Sequence, residues 1–407
     1  MSKATKNEKK GLVPRLRFPE FREAGEWNTD LVKDLVTTVT PPKKLTSNQY
    51  EHEGMFPVVD QSQEYICGWT NDEHALVSLE SPLIVFGDHT CALKIVDQPF
   101  VQGADGIKIL KSKNVIEPEF LYQYLLFSPV KMESYKRHFS TLKEKSVVYP
   151  DKRTGEQQKI AYCLSSLDAL IAAQADKIDV LKAHKKGLMQ KLFAREGETV
   201  PGLRFPEFRD AGEWISRKLS KLLKKIGDPV TVEDDQIYRE VGIRSHGKGI
   251  FHKEPILGAA IGNKRVFWIE ENTLIVNIVF AWELAVANTN EAEKGMIASH
   301  RFPMYRAREN KADVRYMKYF FLTHKGKELL WIASPGGAGR NKTLGQKDFE
   351  NLEFLIPKRL TEQKKIADCL SSVDELIVVQ TEKLDTLKAH KKGLMQQLFP
   401  IPEAVGV

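Results

Sequence analysis

The chain repeats itself, and that constrains every other reading of it. Leu16–Trp27 reads LRFPEFREAGEW and Leu203–Trp214 reads LRFPEFRDAGEW, one Glu/Asp exchange in twelve positions. A longer pair follows. Glu156–Phe193 is EQQKIAYCLSSLDALIAAQADKIDVLKAHKKGLMQKLF and Glu362–Phe399 is EQKKIADCLSSVDELIVVQTEKLDTLKAHKKGLMQQLF, identical at 27 of 38 positions. The short copies lie 187 residues apart and the long copies 206, so the enclosed segments, roughly 28–155 and 215–361, differ in length by 19. No convincing identity links those segments, yet each is too long for a loop and has the size of a compact domain. Two units of about 200 residues are too few and too large for a solenoid. Duplication with diverged middles fits better. The expected layout is a disordered basic N-terminus (1–14), a first variable domain (15–155), a long helix (156–193), a second variable domain (194–361), a second long helix (362–399) and a tail (400–407).

Within the long repeat, Ile160, Leu164, Leu167, Ile171, Gln174, Ile178, Leu181, Lys185, Leu188 and Leu192 step by alternating fours and threes. That is the heptad spacing that lays one seam along a helix. The second copy gives Ile366, Leu370, Val373, Ile377, Gln380, Leu384, Leu387, Lys391, Leu394 and Leu398. A helix of 38 residues would be about 57 Å long. Such a seam calls for a partner, and the obvious one is its own copy, with the matched polar pairs Gln174/Gln380 and Lys185/Lys391 fixing register at some cost. Packing of each helix on its own domain is the competing reading. The periodicity leaves parallel and antiparallel pairing open; a pseudo-twofold axis across the helices would make them antiparallel. Cys163 and Cys369 recur beside seam leucines as small interface residues. Gly187 and Gly393 interrupt good helix formers at matching points, for close backbone approach, for contact with another subunit, or as a mild kink.

Composition narrows the class. Sixty-one Lys+Arg against 54 Asp+Glu give +7, a weak pointer to nucleic acid. No apolar run approaches the roughly 18 residues of a membrane span, and the basic start MSKATKNEKKGLVPR has no apolar stretch behind it, so it does not read as a secretory signal. Four cysteines with no CxxC pair and no Cys/His ligand spacing suit a reduced, cytoplasmic chain with no zinc site.

Both middles read as mixed α/β. Residues 82–86 and 92–96 form strands around the turn Gly87–Thr90, and Phe120–Phe127 a short helix. In the second domain 273–280 (TLIVNIVF) reads as one buried strand, 316–330 as one helix and 352–356 as a last strand. Gly242–Gly249 (GIRSHGKG) nearly matches the phosphate-loop pattern GxxxxGK[ST] but carries Gly249 where a hydroxyl would hold Mg²⁺, and no helix follows. Its Arg244, His246 and Lys248 are better taken as candidate DNA contacts, as are Arg340, Asn341 and Lys342 in PGGAGRNKTL. In the first domain the matching candidates are Lys136, Arg137 and His138 ahead of the long helix, with Asp88, His89 and Thr90 at the strand turn. Each loop also reads as an ordinary solvated turn. No dinucleotide or methyl-donor fingerprint, amino-methylation motif, Walker A or nucleophile elbow is present.

The doubled layout, with LRFPEFREAGEW opening a domain and EQQKIAxxLSSLDxLI…LKAHKKGLMQKLF closing it, resembles the specificity subunit of Type I restriction-modification systems over about residues 15–399. The resemblance implies an α+β fold. Two globular target recognition domains would each read half of a bipartite double-stranded DNA site, held apart by two long antiparallel coiled-coil helices that set the gap. It also implies docking of two modification (methyltransferase) subunits and, through the complex, of restriction/translocase subunits. No cofactor or metal is expected in this chain; S-adenosylmethionine, ATP and Mg²⁺ would belong to the partners. Three other classes remain: a specificity module of another restriction architecture, a non-DNA coiled-coil adaptor, and a nuclease acting through Asp88 and His89.

Overall fold

A computed structural model describes residues 12–104, 106–133, 136–336 and 342–400. They form two compact units: residues 12–176 with 382–400, and residues 177–381. The boundary passes through both long helices, Glu156–Leu192 and Leu360–Leu398. The linear division expected from the repeats therefore differs from the packing: each unit takes in a variable domain, the first half of the helix that follows it, and the second half of the other helix.

In the first unit, a four-stranded antiparallel sheet runs Val36–Val39, Ile107–Ser112, Leu83–Gly87, Leu93–Val96. The apolar run of its central strand has two buried faces. Ile84 and Phe86 join the core shared with the helices, and Leu83 and Val85 join a core on the far side, as expected of a strand covered on both faces. On the far side lies a five-stranded sheet of Lys44–Leu45, Phe100–Gly103, Phe56–Val59, Gly68–Thr70 and Leu76–Val77. The helix Pro118–Phe127 and the pair Asn28–Leu31/Ser146–Tyr149 bring the chain to the long helix. Of the stretch expected to be disordered, residues 12–14 are ordered: the Leu12 carbonyl accepts the Trp27 N–H at 2.9 Å and Pro14 is buried. Residues 1–11 lie outside the described residues.

The second unit repeats that frame. Its four-stranded sheet runs Leu223–Ile226, Met304–Ala307, Leu274–Val276, Val286–Asn288 in the same antiparallel order. The strand pair Ile215–Lys218/Glu353–Ile356 again precedes the long helix. What covers the sheet differs: a three-stranded sheet (Asp228–Pro229, Val266–Trp268, Ile297–Ser299) and the ladders Val241–Ile243/Ile250–His252 and Ile237–Tyr238/Ile256–Leu257. Two expectations need correcting here. The run 273–280 is a strand only over Leu274–Val276, because the Asn277 side chain accepts the Val279 N–H at 3.1 Å and turns the chain. Residues 316–330 belong to two helices, Val314–Phe321 and His324–Ile332. Thr323 caps the second by accepting the Gly326 N–H, and a Cβ on Gly326 would lie 2.1 Å from the Phe320 carbonyl oxygen, so a residue without a side chain stands there.

In each unit the helix halves run antiparallel. Ile160 and Leu164 share a core with Leu398 and Phe399, while Asp168, further along the first helix, meets Lys391, earlier in the second. In the second unit Leu192 and Phe193 share a core with Ile366 and Leu370, and Lys185 meets Asp374. All twenty heptad positions are buried or half-buried. The seam is not purely helix on helix, however, since its ends enter the globular cores.

Candidate nucleic-acid interface and helix anchorage

The twelve-residue motif is a clamp. Arg17 places Nε and Nη2 on the two Glu156 oxygens at 2.7 and 2.6 Å, and Arg204 does the same to Glu362 at 2.7 and 2.8 Å. Glu156 and Glu362 are each 1% exposed. The third guanidinium nitrogen donates to the Gly25 carbonyl in one unit and the Gly212 carbonyl in the other. Both glycines sit in the left-handed region, at φ 80° and 73°, where a side chain would be strained. Trp214 Nε1 adds a donor to Glu362 at 3.2 Å, and the Glu362 carboxylate holds the Arg204 guanidinium above its ordinary pKa. Next in sequence, Gln157 accepts the Glu117 N–H and donates to the Pro150 carbonyl, and Gln363 does likewise with Asp313 and Pro357.

The lysine on each seam has a carboxylate. Lys391 reaches Asp168 at 2.6 Å, where Gln123 also donates; Lys185 reaches Asp374 at 2.6 Å, where the Tyr319 hydroxyl donates. Burial pushes Lys318, lying against Tyr319 and Asp374, down to about 8. These clasps escaped the sequence reading because their partners are far apart in the chain. The available signal was that Arg17/Arg204, Glu156/Glu362, Asp168/Asp374 and Lys185/Lys391 all recur at matching repeat positions.

In the first unit the candidate loop residues divide. His138 is 1% exposed: Nε2 accepts the Glu133 N–H at 3.1 Å, so Nδ1 carries the proton and donates to the Asp88 carbonyl. Asp88, 5% exposed, accepts the Phe139 N–H at 2.8 Å. Both side chains brace the turn from inside, and this corrects their candidacy as DNA contacts. His89 and Thr90 are half-buried, with Thr90 Oγ1 donating to the Gln61 carbonyl at 2.6 Å. Lys136, paired with Glu133, and Arg137 are exposed.

In the second unit the loop 244–249 joins two strands, and no helix follows it. The His246 and Gly247 N–H groups donate to the Glu283 and Leu284 carbonyls at 2.7 and 3.0 Å, fixing the turn. Arg244 lies over the Phe251 ring at 4.8 Å, and Arg244, His246 and Lys248 are all exposed. His246 and Gly247 border a groove of about 1370 Å³ that Lys182, Lys186 and Met189 of the first long helix also line. Lys342 lies over the ring of the exposed Trp331, which meets Trp282 edge-on. Arg340 and Asn341 fall outside the described residues. Among the described residues no cluster of His, Cys, Asp or Glu could hold a metal ion, and no helix is long and apolar enough to cross a membrane.

The outer faces of the helices keep apolar side chains in solvent. Leu170 and its repeat equivalent Leu376 are 55% and 49% exposed, with Val378 and Val379 beside the latter. At Gly187 and Gly393 a Cβ would meet nothing within 4 Å, so close approach inside the chain does not explain either glycine.

Comparison with known proteins agrees with this architecture. A family model described as Type I restriction modification DNA specificity domain matches residues 25–183 and again 241–389. The chain is 22% identical to the Type I restriction enzyme MjaVIII specificity subunit of Methanocaldococcus jannaschii, covering 94% of this chain and 93% of that one. It is 23% identical to the Type I restriction enzyme EcoR124I/EcoR124II specificity subunit of Escherichia coli, covering 91% and 94%. In fold it is similar to the crystal structure of a Type-I restriction-modification system S subunit from M. genitalium, with TM-score 0.65 at 14% identity over 96% of this chain and 100% of that one.

Proposed function

Because the chain belongs to the Type I restriction modification DNA specificity family, we propose that it is the DNA-reading subunit of a Type I restriction-modification complex, each variable domain contacting one half of a bipartite duplex target. The observation that carries this reading is the contrast inside each unit. The four-stranded sheet and the Arg–Glu, Gln and Asp–Lys clasps are the same in both units, while the sheets and loops covering that frame differ entirely. A scaffold held constant under two diverged surfaces is what two different half-sites require.

The paired helices fix the unread gap and dock two copies of the modification subunit. The exposed Leu170 and Leu376, and the two glycines that nothing in the chain crowds, give a partner an apolar, close-approach face presented twice. The restriction/translocase subunits join through that complex. The chain itself is non-catalytic and works in the cytoplasm; S-adenosylmethionine, ATP and Mg²⁺ are held by its partners. Asp88 gives the nuclease alternative no support, since its carboxyl is buried, at 5% exposure, and accepts the Phe139 N–H inside the turn.

Exchanging residues 215–355 for those of a relative with a different target tests the reading. The expected result is a methylated motif altered in one half only. Alteration of both halves would contradict independent reading by the two domains.

A further inference from the structure

We propose that the second unit carries a DNA contact distinct from the loops discussed above: a basic cleft beside the strand Leu223–Ile226 that holds the phosphodiester backbone of the duplex. The proposal rests on the DNA-reading function argued above and identifies a positioning surface within it.

The cleft, about 640 Å³, lies between the four-stranded sheet and the three-stranded sheet that covers it, with the half-buried rings of Phe267 and Phe302 in its wall. Lys224, Lys225, Arg265 and His300 line it, all exposed. Lys225 bonds to Gln346, but among the described residues the side chains of Lys224, Arg265 and His300 have no hydrogen-bond or ion-pair partner. Lys224 also stands directly opposite Arg306 in the antiparallel ladder, a like-charge cross-strand pair that destabilises a sheet on its own. The one carboxylate lining the cleft, Glu270, is already bonded to Arg306.

Such an excess of unmatched positive charge around an edge strand becomes favourable when an anion lies across it. Lys and Arg are the side chains that bind phosphate oxygens, and duplex DNA carries one charge per about 1.7 Å of axis. The basic groups come from one edge strand (Lys224 and Lys225) and from residues flanking two strands of the covering sheet (Arg265 and His300), and the rings of Phe267 and Phe302 line the same cleft. That distribution suits an extended sugar-phosphate chain better than a single small anion, with the rings against deoxyribose. The first unit lacks the feature although its frame is the same: the matching strand reads Val36-Thr37-Thr38-Val39, with Thr37 opposite Lys111. The contact therefore belongs to one half of the target only.

The test uses the full chain assembled with its modification subunits, and measures affinity for a target duplex and an unrelated duplex over a range of salt. Lys224→Thr, which installs the residue of the first unit, and Arg265→Gln should each reduce the log–log salt slope by about 0.9. The loss should be similar on both duplexes, and the methylated motif should stay unchanged, because phosphate contacts position without specifying. Slopes equal to that of the unsubstituted complex, or a changed motif, would overturn the cleft proposal while leaving the DNA-reading function intact. An unsubstituted complex with no salt-dependent DNA affinity would overturn the function and the cleft together.

Discussion

At the residue scale, the ion pairs that anchor the helices are buried, bidentate and repeated, which gives them a specific mutational signature. Removing one partner leaves an uncompensated charge in the core, at a cost of about 3–5 kcal/mol, whereas replacing both by apolar groups of similar size is near neutral. Arg204→Met should therefore destabilise the second unit by about that amount in urea unfolding followed by tryptophan fluorescence, since Trp214 donates to the same carboxylate. Arg204→Met combined with Glu362→Leu should recover most of the loss. A double variant as unstable as the single one would mean that the pair is worth more than its desolvation. The repeat made these residues legible as a set but not as pairs, because Arg204 and Glu362 are 158 positions apart. His138 and Asp88 show the opposite failure. They are polar residues in a loop, the pattern that suggests an exposed contact, and nothing local reveals that backbone groups up to 51 residues away claim their side chains.

At the scale of elements, heptad spacing located both long helices to within two residues at the start. It did not reveal that the phenylalanine closing each repeat belongs to a globular core. Phe399 sits among Phe120, Tyr124 and Phe127 at centroid distances of 5.6, 5.4 and 5.2 Å, and Phe193 packs on Tyr316 and Phe320 at 5.2 and 6.2 Å. Phe399→Ala should destabilise the first unit by about 3–5 kcal/mol, as seen in a thermal or denaturant scan of the full chain. A loss below about 1 kcal/mol would mean that the end of the second helix is not part of that core. Within the variable domains, the strands at 83–87 and 93–96 were legible from apolar runs around a turn. The divided helix and the shortened strand of the second unit were not. Each break depends on one side chain, Thr323 or Asn277, bonding to a nearby backbone N–H, a choice that apolar periodicity does not encode.

At the scale of the whole molecule, the repeat offsets announced duplication, yet sequence identity ended at the edges of the variable domains. Their common frame emerges only in three dimensions, because a sheet order can persist while every surface residue changes; the strands Val36–Val39 and Leu223–Ile226 share a place in that order with no identical residue between them, two Thr of the first being replaced by two Lys in the second. Constant anchorage under divergent surfaces is the arrangement from which DNA reading in two halves follows. The most direct test of that claim is base-resolved mapping of adenine methylation in cellular DNA, with and without this gene beside its modification partner. The expected result is an asymmetric bipartite motif that appears only when the gene is present. A motif that persists without the gene, or none at all from a complex shown to be assembled, would contradict it.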